Sequence, residues 1–67
     1  MKISKSRFDI EMARKRLTKT ALASKAKISH VRLNTILNSK NIRPETAGRI
    51  AKALGVDVVE ILEEEGD

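Results

Sequence analysis

Residues 18–38 read TKTALASKAKISHVRLNTILN, and how this stretch is parsed decides the fold. Two of its hydroxyl residues, Thr18 and Ser29, are each followed by a run of helically spaced apolar side chains. A Ser or Thr in that place accepts one of the backbone N–H groups that a first helical turn leaves without a partner. In the first run Leu22, Ala23 and Ala26 share a face; in the second Leu33, Ile36 and Leu37 do. The pattern predicts two short helices joined through Lys27 and Ile28. Stepping about 100° per residue from Leu33 puts Ile36 and Leu37 within roughly 60° of it, and Val31 and Thr35 on the opposite side. Arg32 and Asn34 flank that outer face, Asn38 and Ser39 lie beside it, and His30 takes the first position after the Ser29 cap. An idle surface helix would carry Glu, Lys and Gln there. This one carries short or hydrogen-bonding side chains.

Working outward, Ser4 is a cap candidate, with Ile3 placed to pack on Phe8, for a first helix running to about Arg16. After the loop NSKNIR (38–43), Pro44 opens PETAGRIAKAL with Ala47, Ile50, Ala51 and Leu54 inward, and Gly55 stops it. In VDVVEILEEE (56–65), Asp57 caps a further helix with Val58, Ile61 and Leu62 on one side. The expectation is therefore an all-α chain of five helices and no strands. It forms a single domain over residues 1–67 and ends in an acidic, solvated tail over 63–67.

The chain has 67 residues, no Cys and one His, so one modest core must suffice without a disulfide or metal staple. Lack of Cys, lack of an apolar leader after Lys2, and lack of an apolar run long enough to cross a bilayer predict a cytoplasmic protein away from membranes. The net charge of +5 is unevenly placed: five of nine acidic residues fall in the last eight positions. Fourteen Lys and Arg against four carboxylates leave residues 1–59 at +10. So basic a body attracts polyanions, nucleic acid foremost. A generic soluble surface is the competing reading, and charge alone does not choose. There is no Gly-rich phosphate loop, no Cys nucleophile, no His pair for a metal, and no convergence of carboxylates. These absences point away from an enzyme and call for no cofactor.

Residues 17–62, LTKTALASKAKISHVRLNTILNSKNIRPETAGRIAKALGVDVVEIL, resemble the helix-turn-helix domain of the Xre/Cro family of phage and bacterial repressors. The likeness rests on Leu17-Thr18, Leu22-Ala23, Ile28-Ser29, Leu33, Ile36, Asn38, Lys40, and the run from Thr46 through Gly55-Val56 to Ile61-Leu62. It implies a lambda-repressor-like, five-helix DNA-binding domain with its helix-turn-helix at 18–38. The third helix would enter the major groove while the second lies across the backbone. The family's base-reading positions match His30, Val31, Arg32, Asn34 and Thr35, and its phosphate-contacting positions match Lys19, Asn38, Lys40 and Arg43. Residue chemistry points the same way. Arg can read guanine, Asn can read adenine, and Val can meet a thymine methyl. Lys19 sits at a helix start whose free N–H groups also favour phosphate.

The implied function is that of a sequence-specific double-stranded DNA-binding transcriptional regulator, a repressor acting as a homodimer on an operator. Val59 points away from the stripe of Val58, Ile61 and Leu62 and is the candidate dimer contact, with Val56 beside it. The alternative implied by the same resemblance is the antitoxin of a toxin-antitoxin pair, which binds a toxin protein and represses its own operon. A protein-interaction adaptor that binds no specific DNA is the third reading.

Three positions depart from the family pattern. Lys27 and Ser39 each stand where Gly is common, and a side chain is strained wherever φ is positive. Leu37 stands where the family often has a Glu paired to an Arg on the first helix, and the matching position here is Met12. Exchanging both members of a buried ion pair for hydrophobes can be neutral or stabilising, whereas exchanging one is costly. Met12 and Leu37 are therefore expected to meet in the core.

Overall fold

The computed structural model describes residues 1–63, and its helices begin at the caps that the sequence supplies. Helix α1 (Lys5–Lys15) starts from Ser4, whose hydroxyl accepts the Arg7 N–H at 3.3 Å. Helix α2 (Lys19–Ala26) starts from Thr18, which accepts from Ala21 at 3.1 Å. Helix α3 (His30–Asn38) starts from Ser29, which accepts from Arg32 at 3.0 Å. Each such cap stabilises its helix by about 1 kcal/mol. Helix α4 (Pro44–Leu54) has no side-chain cap but begins with Pro44, whose missing N–H would have no intrahelical partner there. It ends at Gly55, in the left-handed region at φ 77°.

Helices as short as α2 are marginal in isolation, so packing decides whether they form. The faces read from the sequence are the buried ones: Leu22, Ala23 and Ala26 of α2, Leu33, Ile36 and Leu37 of α3, and Ala47, Ile50, Ala51 and Leu54 of α4. Phe8 and Ile3 are buried in the same core, as the expected staple requires. Helix α2 packs on both α3 and α4, and α4 in turn packs on α1. Met12 and Leu37 are both buried members of one cluster. Glu11, which the sequence reading counted only as one charge of a basic body, is also buried. Its carboxylate accepts from the Arg14 guanidinium at 3.0 Å.

The fifth helix does not form, and only a single 3₁₀ turn spans Val58–Glu60. Asp57 caps that turn as expected, accepting from the Val59 N–H at 3.1 Å. The helix stops because the residues that should continue it are taken by the other end of the chain. Ile61 is fully buried and its carbonyl accepts the Ser4 N–H at 2.8 Å. Leu62 faces Ile3 in an antiparallel bridge, and the Glu63 N–H donates to the Lys2 carbonyl at 2.9 Å. Arg7 adds a side-chain bond to the Leu62 carbonyl at 2.9 Å. Among the described residues the fold is thus four α-helices, one 3₁₀ turn and no strand. Of the predicted acidic tail, Glu63 lies 3.5 Å from Lys2 and residues 64–67 fall outside the described residues. Segment 1–3 also touches the loop before α4: the Ile42 N–H donates to the Met1 carbonyl at 2.7 Å.

The turn between α2 and α3 does need a left-handed residue, and Lys27 supplies it at φ 59°. Its N–H donates to the carbonyls of Ala23 and Ser24, closing α2. Arg16 closes α1 in the same way at φ 53°, which nothing in the sequence reading anticipated. Ser39 sits at φ −73° in extended backbone, so the absent glycine matters little there. A side chain in the left-handed region costs about 1–2 kcal/mol.

Two outcomes follow for stability. Lys27→Gly raises the unfolding free energy by about 1 kcal/mol, offset in part by the freedom glycine has when unfolded, and lifts Tm by several degrees; Lys27→Val lowers both. Denaturant titration of Leu37→Glu shows a loss of about 3 kcal/mol, because it buries an unpaired carboxylate, and adding Met12→Arg recovers much of that loss. Additive losses in the double variant would place the two residues apart.

Candidate nucleic-acid interface

Helix α3 is anchored from below by Leu33, Ile36 and Leu37, and this leaves its other side to solvent. His30, Val31, Arg32, Thr35 and Asn38 are exposed along it, and Asn34 is half-buried on one flank. Val31 is the extreme case, at 76 % exposure. Thr35 lies one turn on, and its hydroxyl donates to the Val31 carbonyl at 3.0 Å. That bond uses the hydroxyl proton, so Thr35 offers outward lone pairs and its methyl group. Asn38 makes the equivalent bond to the Asn34 carbonyl at 2.9 Å. An amide carries two N–H bonds, and this uses one.

The flanks of α3 are set by the neighbouring elements. On the Asn34 side, a groove of about 110 Å³ is lined by Lys19 from the first position of α2, by Asn34, Leu37 and Asn38 of α3, and by Lys5, Phe8 and Asp9 of α1. It brings together Lys19 and Asn38, two of the residues matched to phosphate positions. Lys5, which the sequence reading did not select, joins them; nothing in the spacing of a residue so far upstream could have revealed this. Lys40 and Arg43 are exposed in the loop between α3 and α4. They do not line that groove. The loop's shape is held by Ser39, whose hydroxyl donates to the Asn41 carbonyl at 3.0 Å, and by the Ile42 bond to Met1.

On its other flank α3 meets α4. Arg32 and Arg49 rim a cleft of about 150 Å³ with Glu45 and Thr46, over a floor of Ile28, Ile36 and Ile50. Val59 is 62 % exposed and shares a separate groove with Ile10, itself 52 % exposed, and with Arg14 and Glu60. Ile10 was missed because α1 was read only for its cap and core. Val56 is half-buried against the core, and its N–H donates to the Ala51 carbonyl.

Chemically, this is a helix face of donors, acceptors and one wholly apolar side chain, with lysines and an arginine in the adjoining segments. An α-helix of this kind fits the major groove of B-DNA, where base edges present complementary groups and cations beside it neutralise phosphates. Among the described residues no group of His, Asp and Glu is placed to hold a metal ion, and no helix is long and apolar enough to cross a membrane.

Comparison with known proteins agrees with this geometry. Residues 7–67 match the family model described as a Cro/C1-type helix-turn-helix DNA-binding domain. No curated protein and no solved structure matches the chain. The family match spans most of the sequence, from α1 onward, and includes both helices of the motif and the loop that follows. The chain belongs to the Cro/C1-type helix-turn-helix DNA-binding domains, the DNA-binding part of transcription regulators.

Proposed function

We propose that this protein reads a specific double-stranded DNA sequence with α3 and represses transcription by occupying an operator as a dimer. The observation that supports this most is the exposure of Val31 at the middle of a polar face, where a thymine methyl would cover it. In this reading His30, Val31, Arg32, Asn34 and Thr35 meet base edges, while Lys19, Asn38, Lys40 and Arg43 fix the register on phosphates. Thr35, its proton committed to Val31, accepts from an amino group of adenine or cytosine.

One domain of this size buries little DNA surface, and two copies on a pseudo-palindrome with half-sites roughly 10 bp apart bury twice as much. The groove of Ile10 and Val59 suits a second copy. In such a dimer both apolar side chains leave water, and Arg14 and Glu60, which line the same groove, give it a charged rim. The antitoxin reading would seat a toxin on the same groove, and it gains ground if the chain alone stays monomeric.

Selection of bound duplexes from a random pool at near-physiological salt tests the reading. Wild type enriches an inverted repeat, and Arg32→Ala/Thr35→Ala loses the preference while keeping salt-sensitive binding. Absence of any enriched sequence in the wild type would overturn the specific-reader function. For the dimer, Val59→Glu and Ile10→Glu each raise the self-dissociation constant at least tenfold in sedimentation equilibrium, the effect of about 1.4 kcal/mol. An unchanged constant removes this groove as the interface.

A further inference from the structure

A second basic surface lies outside every residue so far given a DNA role. Lys25 near the end of α2, Lys27 in the turn, and Arg49 and Lys52 on α4 line one open groove with Ala26 and Ala53. All four cations are exposed, and among the described residues no carboxylate lines the groove. Three separate elements must fold together to create it, so it is not a run of charge in the sequence. The two alanines present no bulk that would keep a chain of phosphates away. Lys27 holds its cation there from a left-handed backbone in which glycine would be unstrained.

The groove is continuous with the proposed reading surface. Arg49 lines both it and the cleft that Arg32 rims, so the cations lead from the groove toward the first turn of α3. We propose that this groove binds the sugar-phosphate backbone of duplex DNA just beyond the base pairs that α3 contacts, an inference that rests on the DNA-reading function above. Single-stranded DNA and RNA loops are held largely by stacking on aromatic side chains. Phe8, the chain's one Phe, Tyr or Trp, is buried in the core, His30 lies on α3, and no aromatic side chain lines this groove. Four cations without an aromatic stacking platform match a regularly spaced phosphate backbone instead.

The test is the salt dependence of binding by the full chain. It uses a long duplex with the selected operator at its centre and the same duplex trimmed to the operator's edges. Lys25→Gln/Lys52→Gln lowers the slope of log K against log salt by about 1.8 on the long duplex, about 0.9 for each phosphate no longer neutralised, and weakens binding on the order of tenfold or more. On the trimmed duplex its slope coincides with that of wild type. Lys25→Arg/Lys52→Arg keeps the wild-type slope on both. The control Lys15→Gln/Arg16→Gln, which removes the same charge from the end of α1, shifts the slope by less than half as much. An unchanged slope for the groove variant, an equal fall in the control, or a loss confined to RNA binding or to self-association overturns the proposal while leaving the function standing. Wild type without salt-dependent duplex binding overturns both.

Discussion

The tight turn from Lys27 to Ser29 is the constraint on which the rest depends. It joins a helix end, closed by N–H bonds from Lys27 to Ala23 and Ser24, to a helix start capped by Ser29, with only Ile28 between. The Ile28 N–H returns to the Ala23 carbonyl at 3.0 Å and its side chain packs against the core. With both helix ends fixed within three residues, the angle between α2 and α3 has little freedom. Leu33, fully buried, then locks the rotation of α3 about its own axis. Every residue that faces outward from α3 is therefore placed by contacts made on its opposite side. Reading bases from such a helix is a property of the core as much as of the exposed side chains.

Charge is organised with similar economy. The buried carboxylate of Glu11 is answered by Arg14 on the same helix, and among the described residues no buried side-chain nitrogen or oxygen lacks a partner. Eight other cations are exposed in three separate groups: Lys5 with Lys19, Lys40 and Arg43 in the loop, and Lys25, Lys27 and Lys52 with Arg49. A polyanion meeting this surface finds attraction from several directions, which hastens encounter, while in the proposed function the hydrogen-bonding face of α3 supplies the discrimination that charge cannot.

What could be read from the sequence was what is local. Ser4, Thr18, Ser29 and Asp57 each cap within three residues of themselves, and the inward faces of α2, α3 and α4 follow from helical spacing alone. The outward face of α3 followed by subtraction. The failures share the opposite character. Val58 to Leu62 has a sound helical pattern, yet Ile61 and Leu62 pair with Ser4 and Ile3, a competition that no window of neighbouring residues contains. The meeting of Lys5 with Lys19, and of Lys25 with Lys52, depends on how helices pack. The burial of Glu11 was hidden because a carboxylate reads as surface until its partner is known. Arg16 was hidden because a left-handed helix end is visible in sequence only when a glycine marks it.

The joining of the two chain ends has a consequence for the order of events in folding. The bridge between Ile3 and Leu62 and the bond from Ile42 to Met1 span long stretches of chain, and contacts of that kind bear the largest closure entropy. The caps and the packing of α2 on α3 close shorter stretches. The loop carrying Lys40 and Arg43 is braced against the first residue, and that residue is positioned beside Ile3, whose partner is near the other end of the chain. Its final shape therefore arrives last. A chain still emerging from the ribosome, or one trimmed by a protease at residues 1–3, lacks that brace, and amide exchange at Ile42 would be the place where the difference appears first.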